Sequence, residues 1–145
     1  MEDRRQGKAP GNPEKGKTPE GWDAFVSHSS ADDDLATRLE QELQGMGLNI
    51  WVDHSDLRRR GLLLSALQEA LLRCGHLVLL WSQAAEQSRY VTAEWNFAWN
   101  REISILPCRL DQTLLPLGLA GYLYCDFRRD FKAGFSQLKE ALREG

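Results

Sequence analysis

The chain has 145 residues, a formal net charge of −3, 42% hydrophobic residues and 27% charged residues. Those totals fit one folded domain that can bury a core without disulfide or metal staples. The slightly acidic balance excludes a general nucleic-acid binder and a membrane-surface binder, both of which carry a basic bias.

Residues 1–20 hold Pro10, Pro13 and Pro19, three of the five prolines in the chain. Gly7, Gly11 and Gly16 add to them, and Met1 and Ala9 are the only apolar side chains. Such a segment cannot offset the entropy of ordering, so it reads as a flexible tail or linker. It also lacks the apolar core of a signal peptide. Residues 21–145 are expected to form the folded domain.

From Trp22 onward, strand and helix patterns alternate. Asp23-Ala24-Phe25-Val26-Ser27 is a short apolar run ending in polar residues. Ser30 followed by Asp33 resembles a capping box with an acidic first turn. Leu35, Leu39, Leu43 and Met46 then recur at helical spacing, and Gly45 and Gly47 stop the helix. Leu48 to Val52 is expected as the second strand, and a loop follows from Asp53 to Gly61. A helix striped by Leu64, Leu67, Leu71 and Cys74 is expected to close at Gly75. Leu77 to Trp81 is the third strand. Ser88 is placed as the N-cap of a helix running roughly from Arg89 to Arg101. Ile103 to Cys108 is the fourth strand, with Pro107 marking an end or an edge. Residues 110–121 read as a loop with at most one short helix, because Pro116, Gly118 and Gly121 interrupt them. Tyr122 to Phe127 is the fifth strand. Phe131, Phe135, Leu138 and Leu142 mark the last helix.

Five strands alternating with helices predict an α/β fold. The arrangement is a flavodoxin-like five-stranded parallel sheet, order 2-1-3-4-5, with helices on both faces. Ligands of such sheets sit beyond the carboxyl ends of the strands. The candidate site residues are therefore Ser27 to Ser30, Asp53 to Gly61, Ser82 and the start of the helix carrying Glu94. The three cysteines, Cys74, Cys108 and Cys125, match no zinc or disulfide spacing and read as buried free thiols in a reducing compartment. The longest apolar run, Leu77 to Trp81, is too short to cross a bilayer. The expected location is the cytoplasm, with no membrane and no direct nucleic-acid partner.

Several chemistries common on such sheets leave no mark here. The turn after the first strand is His28-Ser29-Ser30, without the glycines of a dinucleotide fingerprint or P-loop. The third strand ends in Trp81-Ser82, not in the aspartate of a phosphoacceptor domain. No Gly-x-Ser-x-Gly elbow is present. The histidines (His28, His54, His76) have no metal-ligand spacing, and no metal site is expected. What remains is Ser88-Arg89-Tyr90-Val91-Thr92-Ala93-Glu94-Trp95. Tyr90 and Glu94 are four residues apart and project from one helix face. An aromatic ring beside a carboxylate suits a sugar or base and can stabilise a cation.

Trp22-Asp23-Ala24-Phe25-Val26-Ser27-His28-Ser29 resembles the first signature of Toll/interleukin-1 receptor (TIR) domains. Leu77 to Ser82, followed by Ser88-x-Tyr90 and Glu94-Trp95, resembles the third-strand serine and catalytic-helix motif of that family. Asp53 to Gly61 sits where the family has the loop between its second strand and second helix. The likeness covers about residues 22–143, and Trp95-Asn96-Phe97-Ala98 looks more like the prokaryotic, NAD-cleaving members. Tyr90 stands where that group often has tryptophan, and the loop lacks the proline that receptor versions carry before its glycine.

The resemblance implies an NAD glycohydrolase or ADP-ribosyl cyclase, acting as an effector in antiphage defence or cell-death signalling. It cleaves the nicotinamide–ribose bond to give nicotinamide and ADP-ribose or a cyclic variant. NAD is then substrate, and no cofactor is expected. Glu94 is the implied catalytic residue. Tyr90, Ser82, His28, Ser29, Ser30 and Asp53 are the implied substrate contacts. Asp56, Leu57, Arg58, Arg59, Arg60 and Gly61 form the implied assembly loop for TIR–TIR self-association. A fused or separate sensor domain is an expected partner, because the domain has no obvious sensor of its own. Bland roles stand beside these: Ser30 as an N-cap, Ser82 as a turn cap, Asp53 as a loop brace, the arginines as solvated charges. The alternative is a non-enzymatic TIR scaffold that signals by homotypic assembly, with Glu94 incidental. A nucleoside-processing enzyme using the same glutamate is a third reading. The enzymatic reading requires the Glu94 carboxylate to aim into a sugar-sized cleft rather than outward.

Overall fold

In the computed structural model, residues 21–52 and 64–144 are the described part of the chain. The loop expected at Asp53 to Gly61 and the tail expected at residues 1–20 lie outside it. Strand β1 (Trp22–Ser27) leads through a short 3-10 turn (Ser30–Asp32) into helix α1 (Asp33–Gly45), then β2 (Ile50–Val52). Helix α2 (Leu64–Leu72) precedes β3 (Cys74–Trp81), a short helix α3 (Gln83–Glu86) and helix α4 (Arg89–Asn100). Strand β4 (Ile105–Arg109), a 3-10 turn (Leu117–Leu119), β5 (Cys125–Asp126) and helix α5 (Phe131–Glu144) complete the order. The five strands of the described residues form one parallel sheet, β2-β1-β3-β4-β5.

The period of two along each strand sorts side chains to opposite faces. Ala24, Val26, Val78, Leu80 and Cys108 face one core, closed by Ala36, Leu39 and Leu43 of α1 and Leu138 of α5. Phe25, Leu77, Leu79, Trp81 and Ile105 face the other, closed by Leu67, Ala70 and Leu71 of α2, Ala85 of α3, and Val91 and Ala98 of α4. Both faces of the sheet are covered, as parallel strands require.

Several boundaries differ from the sequence-based expectation. Strand β3 begins at Cys74 rather than Leu77, pairing Cys74 with Trp22 and His76 with Ala24. Gly75 therefore does not end a helix. A Cβ there would stand 3.1 Å from the Asp23 carbonyl oxygen, so the glycine lets two strands approach. Strand β2 is shorter than expected, and Leu48 belongs to the turn after α1, where Gly47 has φ +90°. Helix α1 buries Leu39 and Leu43, but Met46 follows the helix and is exposed. The fifth strand keeps only Cys125 and Asp126, because residues 122–124 run exposed over the surface instead of pairing. Pro107 sits opposite Leu79, one residue before β4 gains its second neighbour at Cys108. Its missing N–H thus falls where β4 has a single hydrogen-bonded partner.

The three cysteines are free. Cys108 and Cys125 stand opposite each other on β4 and β5, both buried. The hydrogen bond to Cys125 and burial hold the Cys108 thiol above its ordinary range. Burial pushes the Cys74 thiol up to about 12. Cys74 and Cys108 are therefore packing groups rather than nucleophiles at neutral pH, while the hydrogen bond from Cys108 moves the Cys125 thiol the other way, down. No helix among the described residues is long and apolar enough to cross a membrane.

Candidate functional site

The order β2-β1-β3-β4-β5 places the reversal of strand order between β1 and β3, the position where open parallel sheets leave a crevice. The residues that leave β1 there are Ser27, His28 and Ser29, and the residue that leaves β3 is Ser82. All four side chains are buried. Among the described residues the buried polar side chains are Ser27, His28, Ser29, Ser82, Glu94 and Arg109. Each of them lies at the carboxyl end of a strand or on the helix beside it. Buried polar groups are costly unless partnered, so their concentration at one end of an otherwise apolar core marks that end.

The turn after β1 organises itself through its own side chains. Ser29 has extended backbone angles (φ −77°, ψ 151°), and its Oγ accepts the Ala31 N–H at 3.1 Å. Ser29, not Ser30, is therefore the cap of this turn, and Ser30 is exposed. A cap needs an extended backbone just before the helical turn, and Ser30 is already inside it. The acidic residues that follow act as more than a helix start. Asp32 Oδ2 accepts from Ser82 Oγ at 2.6 Å, which ties the end of β3 to the turn after β1. Asp33 Oδ1 lies 2.9 Å from His28 Nε2, so the nitrogen facing this carboxylate carries the proton. Ser82 Oγ also accepts the Ala85 N–H at 3.1 Å and so caps α3.

Helix α4 starts as its sequence predicts. Ser88 is extended (φ −89°, ψ 121°) and its Oγ accepts the Val91 N–H at 3.2 Å. The buried positions of α4 are Val91, Glu94 and Ala98, a single inward stripe. Glu94 thus occupies a position where helix amphipathicity calls for an apolar side chain. It is only 5% exposed, and its Oε1 accepts from Ser27 Oγ at 2.6 Å. The carboxylate is turned into the protein at the end of β1. Tyr90, one turn earlier on the same helix, is half-buried.

The structure therefore places Glu94, Ser82, His28 and Ser29 around the carboxyl ends of β1 and β3, with Ser30 exposed and Tyr90 half-buried one turn before Glu94 on α4. Asp53 and the assembly-loop residues Asp56, Leu57, Arg58, Arg59, Arg60 and Gly61 lie outside the described residues. Sequence reasoning missed three features. It read Asp33 as the acid of a capping box and did not name Asp32, where Asp32 clamps Ser82 and Asp33 pairs with His28. It named Ser27 only as the start of a candidate segment. It passed over Arg109, whose buried guanidinium donates to the carbonyls of Gln112 and Thr113 at 3.2 and 3.1 Å and lies over the Tyr124 ring. A charged residue at the end of a buried strand was the available signal for Arg109. For Asp32 no signal existed before β3 was placed beside β1, whereas Asp33 and His28 stand only five residues apart. No group of three or more His, Cys, Asp or Glu side chains that could hold a metal ion occurs among the described residues.

A family model described as "TIR domain" matches residues 24–139. Among solved structures, the chain is similar to the TIR domain of the Toll-related receptor TRR-2 from Hydra magnipapillata. That match has a TM-score of 0.69 and 13% identity, and it covers 84% of this chain and 98% of the other. At that identity the likeness speaks to the fold. No curated protein sequence matches the chain.

Proposed function

The chain belongs to the TIR domain family, and on that premise we propose that it is an NAD nucleosidase of the prokaryotic type, with Glu94 as the catalytic residue. The observation that carries this reading is the inward carboxylate: Glu94 is buried on α4 and hydrogen-bonded to Ser27 at the carboxyl end of β1. A glutamate kept only for solubility has no reason to occupy the inner stripe of a helix.

The chemistry asks little beyond that group. In NAD the ribose C1′ is bonded to a pyridinium nitrogen. When this bond breaks, its electron pair stays on the nitrogen and nicotinamide leaves neutral. Positive charge develops on the ribose, and a carboxylate held in a site of low dielectric stabilises it. Water then adds to C1′ and loses a proton to give ADP-ribose; addition of a nucleophile from the same molecule gives a cyclic product. In this reading Tyr90 borders the nicotinamide ribose, and Ser82 hydrogen-bonds substrate at the strand end while capping α3. His28, Ser29 and Ser30 lie toward the phosphates, and Asp53 holds a ribose hydroxyl. Self-association through TIR–TIR contacts involving Asp56 to Gly61 completes the active form. A sensor domain, fused or separate, controls it in a cytoplasmic defence or cell-death pathway.

The test is nicotinamide release from NAD by concentrated protein, compared with Glu94→Gln. Release by the parent and loss of at least about 100-fold in the variant is the expected result, typical of removing one electrostatic catalytic group. Equal rates in the two proteins, or no release by the parent at high concentration, reject the enzymatic reading.

A second reading has its own support. Leu114, Leu117, Tyr122, Leu123, Tyr124 and Trp99 are exposed, with Leu117 at 93% and Leu123 at 94%. They cluster along the β4–β5 connection, where Gly118 packs on Trp99 and Trp99 contacts Tyr122. Apolar surface of this kind favours a scaffold that works by assembly. Leu117→Ser with Leu123→Ser is expected to lower the oligomer mass seen by light scattering without shifting the melting temperature. An unchanged mass counts against this surface.

A further inference from the structure

We propose that Ser27 is the positioning residue that orients the Glu94 carboxylate, and that it acts on catalysis only through that carboxylate. The inference rests on the nucleosidase reading above and deepens it by adding a residue that the resemblance does not supply.

Two independent periodicities converge on this contact. Along β1 the period of two places Ala24 and Val26 against α1, and Phe25 against the other core. Ser27, two residues after Phe25, follows it to the α4 face of the sheet. Along α4 the buried positions Val91, Glu94 and Ala98 form the stripe that meets that face. Residues 67 apart in sequence thus meet side chain to side chain. Ser27 is wholly buried, and its backbone is held by pairing with Leu79 of β3. A strand residue in that register cannot swing away, so its hydroxyl is a fixed post.

The contact suits the task. At 2.6 Å it has the length of a hydroxyl donating to an ionised carboxylate. The terminal torsion of a glutamate is otherwise broad and roughly two-fold. Fixing Oε1 sets the plane of the carboxylate and the direction of its second oxygen. A group that stabilises charge developing on a sugar works by being aligned beforehand. Ser27 is wholly buried and gives its one proton to Glu94, so it is placed to orient that carboxylate rather than to meet substrate. Its removal therefore misaligns the catalytic group without removing a substrate contact.

The experiment compares the full-length parent with Ser27→Ala and Ser27→Cys, using NAD as the probe. In Ser27→Ala, kcat is expected to fall about 10- to 100-fold with KM within about twofold of the parent, the pattern of lost alignment. Ser27→Cys keeps the volume and offers a weaker donor, so its kcat falls between the two. In a Glu94→Gln background, Ser27→Ala is expected to add no further loss; a merely structural serine would lower the residual rate in both backgrounds. A readout free of turnover is the carboxyl-carbon NMR titration of Glu94. Loss of a donor to the charged form moves its midpoint upward in Ser27→Ala. The other titratable groups near this sheet end, among them His28, Asp32, Asp33 and Tyr90, are common to both proteins, so the difference belongs to the hydroxyl. A parent that turns over NAD beside a Ser27→Ala variant of equal kcat overturns this inference alone. An unmoved Glu94 titration overturns it as well. A parent with no turnover overturns it together with the nucleosidase reading.

Discussion

Both ends of the sheet's carboxyl edge carry charge, but they treat it in opposite ways. At β1 and β3 a carboxylate is buried on the inner stripe of α4 and held by a serine hydroxyl. At β4 and β5 the charges satisfy local backbone or pair at the surface. Arg109 donates to the carbonyls of its own following turn, and the guanidinium of Arg128 pairs with Asp126 at 2.8 Å. Burial pushes the Asp111 carboxyl up, but the N–H groups of Gln83 and Thr113 and the charge of Arg109 outweigh it and hold that carboxyl below its ordinary value. In the second region the arginines close on near neighbours, Arg109 three and four residues on and Arg128 two residues back, while Asp111 also accepts the Gln83 N–H from 28 residues away. The first draws its partners from 50 and 67 residues away, through Ser82–Asp32 and Ser27–Glu94. Long-range polar contacts at a buried sheet end are expensive to arrange, and under the proposed function the chemistry at Glu94 would be the reason to keep them.

That contrast can be broken by mutation. Glu94→Gln carries the largest expected effect, a loss of at least about 100-fold in nicotinamide release with the fold intact. Comparable loss from a substitution at Arg109 would erase the distinction between the two regions. At the β5 end the expected penalty is in stability alone. Gly134 of α5 lies so close to Phe127 that an added Cβ would come within 2.4 Å of its ring. Gly134→Ala is therefore expected to cost about 1–3 kcal/mol by overpacking, read from urea unfolding, with activity per folded molecule unchanged. The smallest effect belongs to Asp126→Asn. The Arg128 hydrogen bond holds the Asp126 carboxyl well below the usual carboxylate range. Its folded pKa is depressed, so its contribution to stability is present above the unfolded value of about 4 and is lost as pH falls further. The pair is solvated, which keeps the contribution small. A slight stability difference between parent and variant at pH 7, vanishing in acid, is expected; a difference that grows in acid would contradict the assignment.

The layered architecture was legible because burial imposes its period on the chain. The alternation of Ala24, Phe25 and Val26, and of Leu77 to Trp81, is the signature of strands buried on both faces. The stripe of Leu35, Leu39 and Leu43 is that of a helix covering one of them. Ser88 announced α4 because a cap is a local event between neighbours. Boundaries were less legible. Cys74 continued an apolar helical stripe and Gly75 looked like its stop; only the neighbouring β1 shows that both are strand and that the glycine makes room for the Asp23 carbonyl. Tyr122 to Tyr124 have the composition of a strand, yet the edge strand shrinks to Cys125 and Asp126. β-propensity describes fit to a half-buried surface, and these residues are given no such surface.

Local chemistry along the chain was enough for the order of elements, the two apolar faces and the caps at Ser82 and Ser88, since each depends on residues within a turn or two. Three-dimensional packing alone decided that Glu94 points inward, that Ser27 is its donor, and that Asp32 clamps Ser82. Those contacts join chain segments whose separation no periodicity encodes, and they exist only once the sheet has set β3 beside β1.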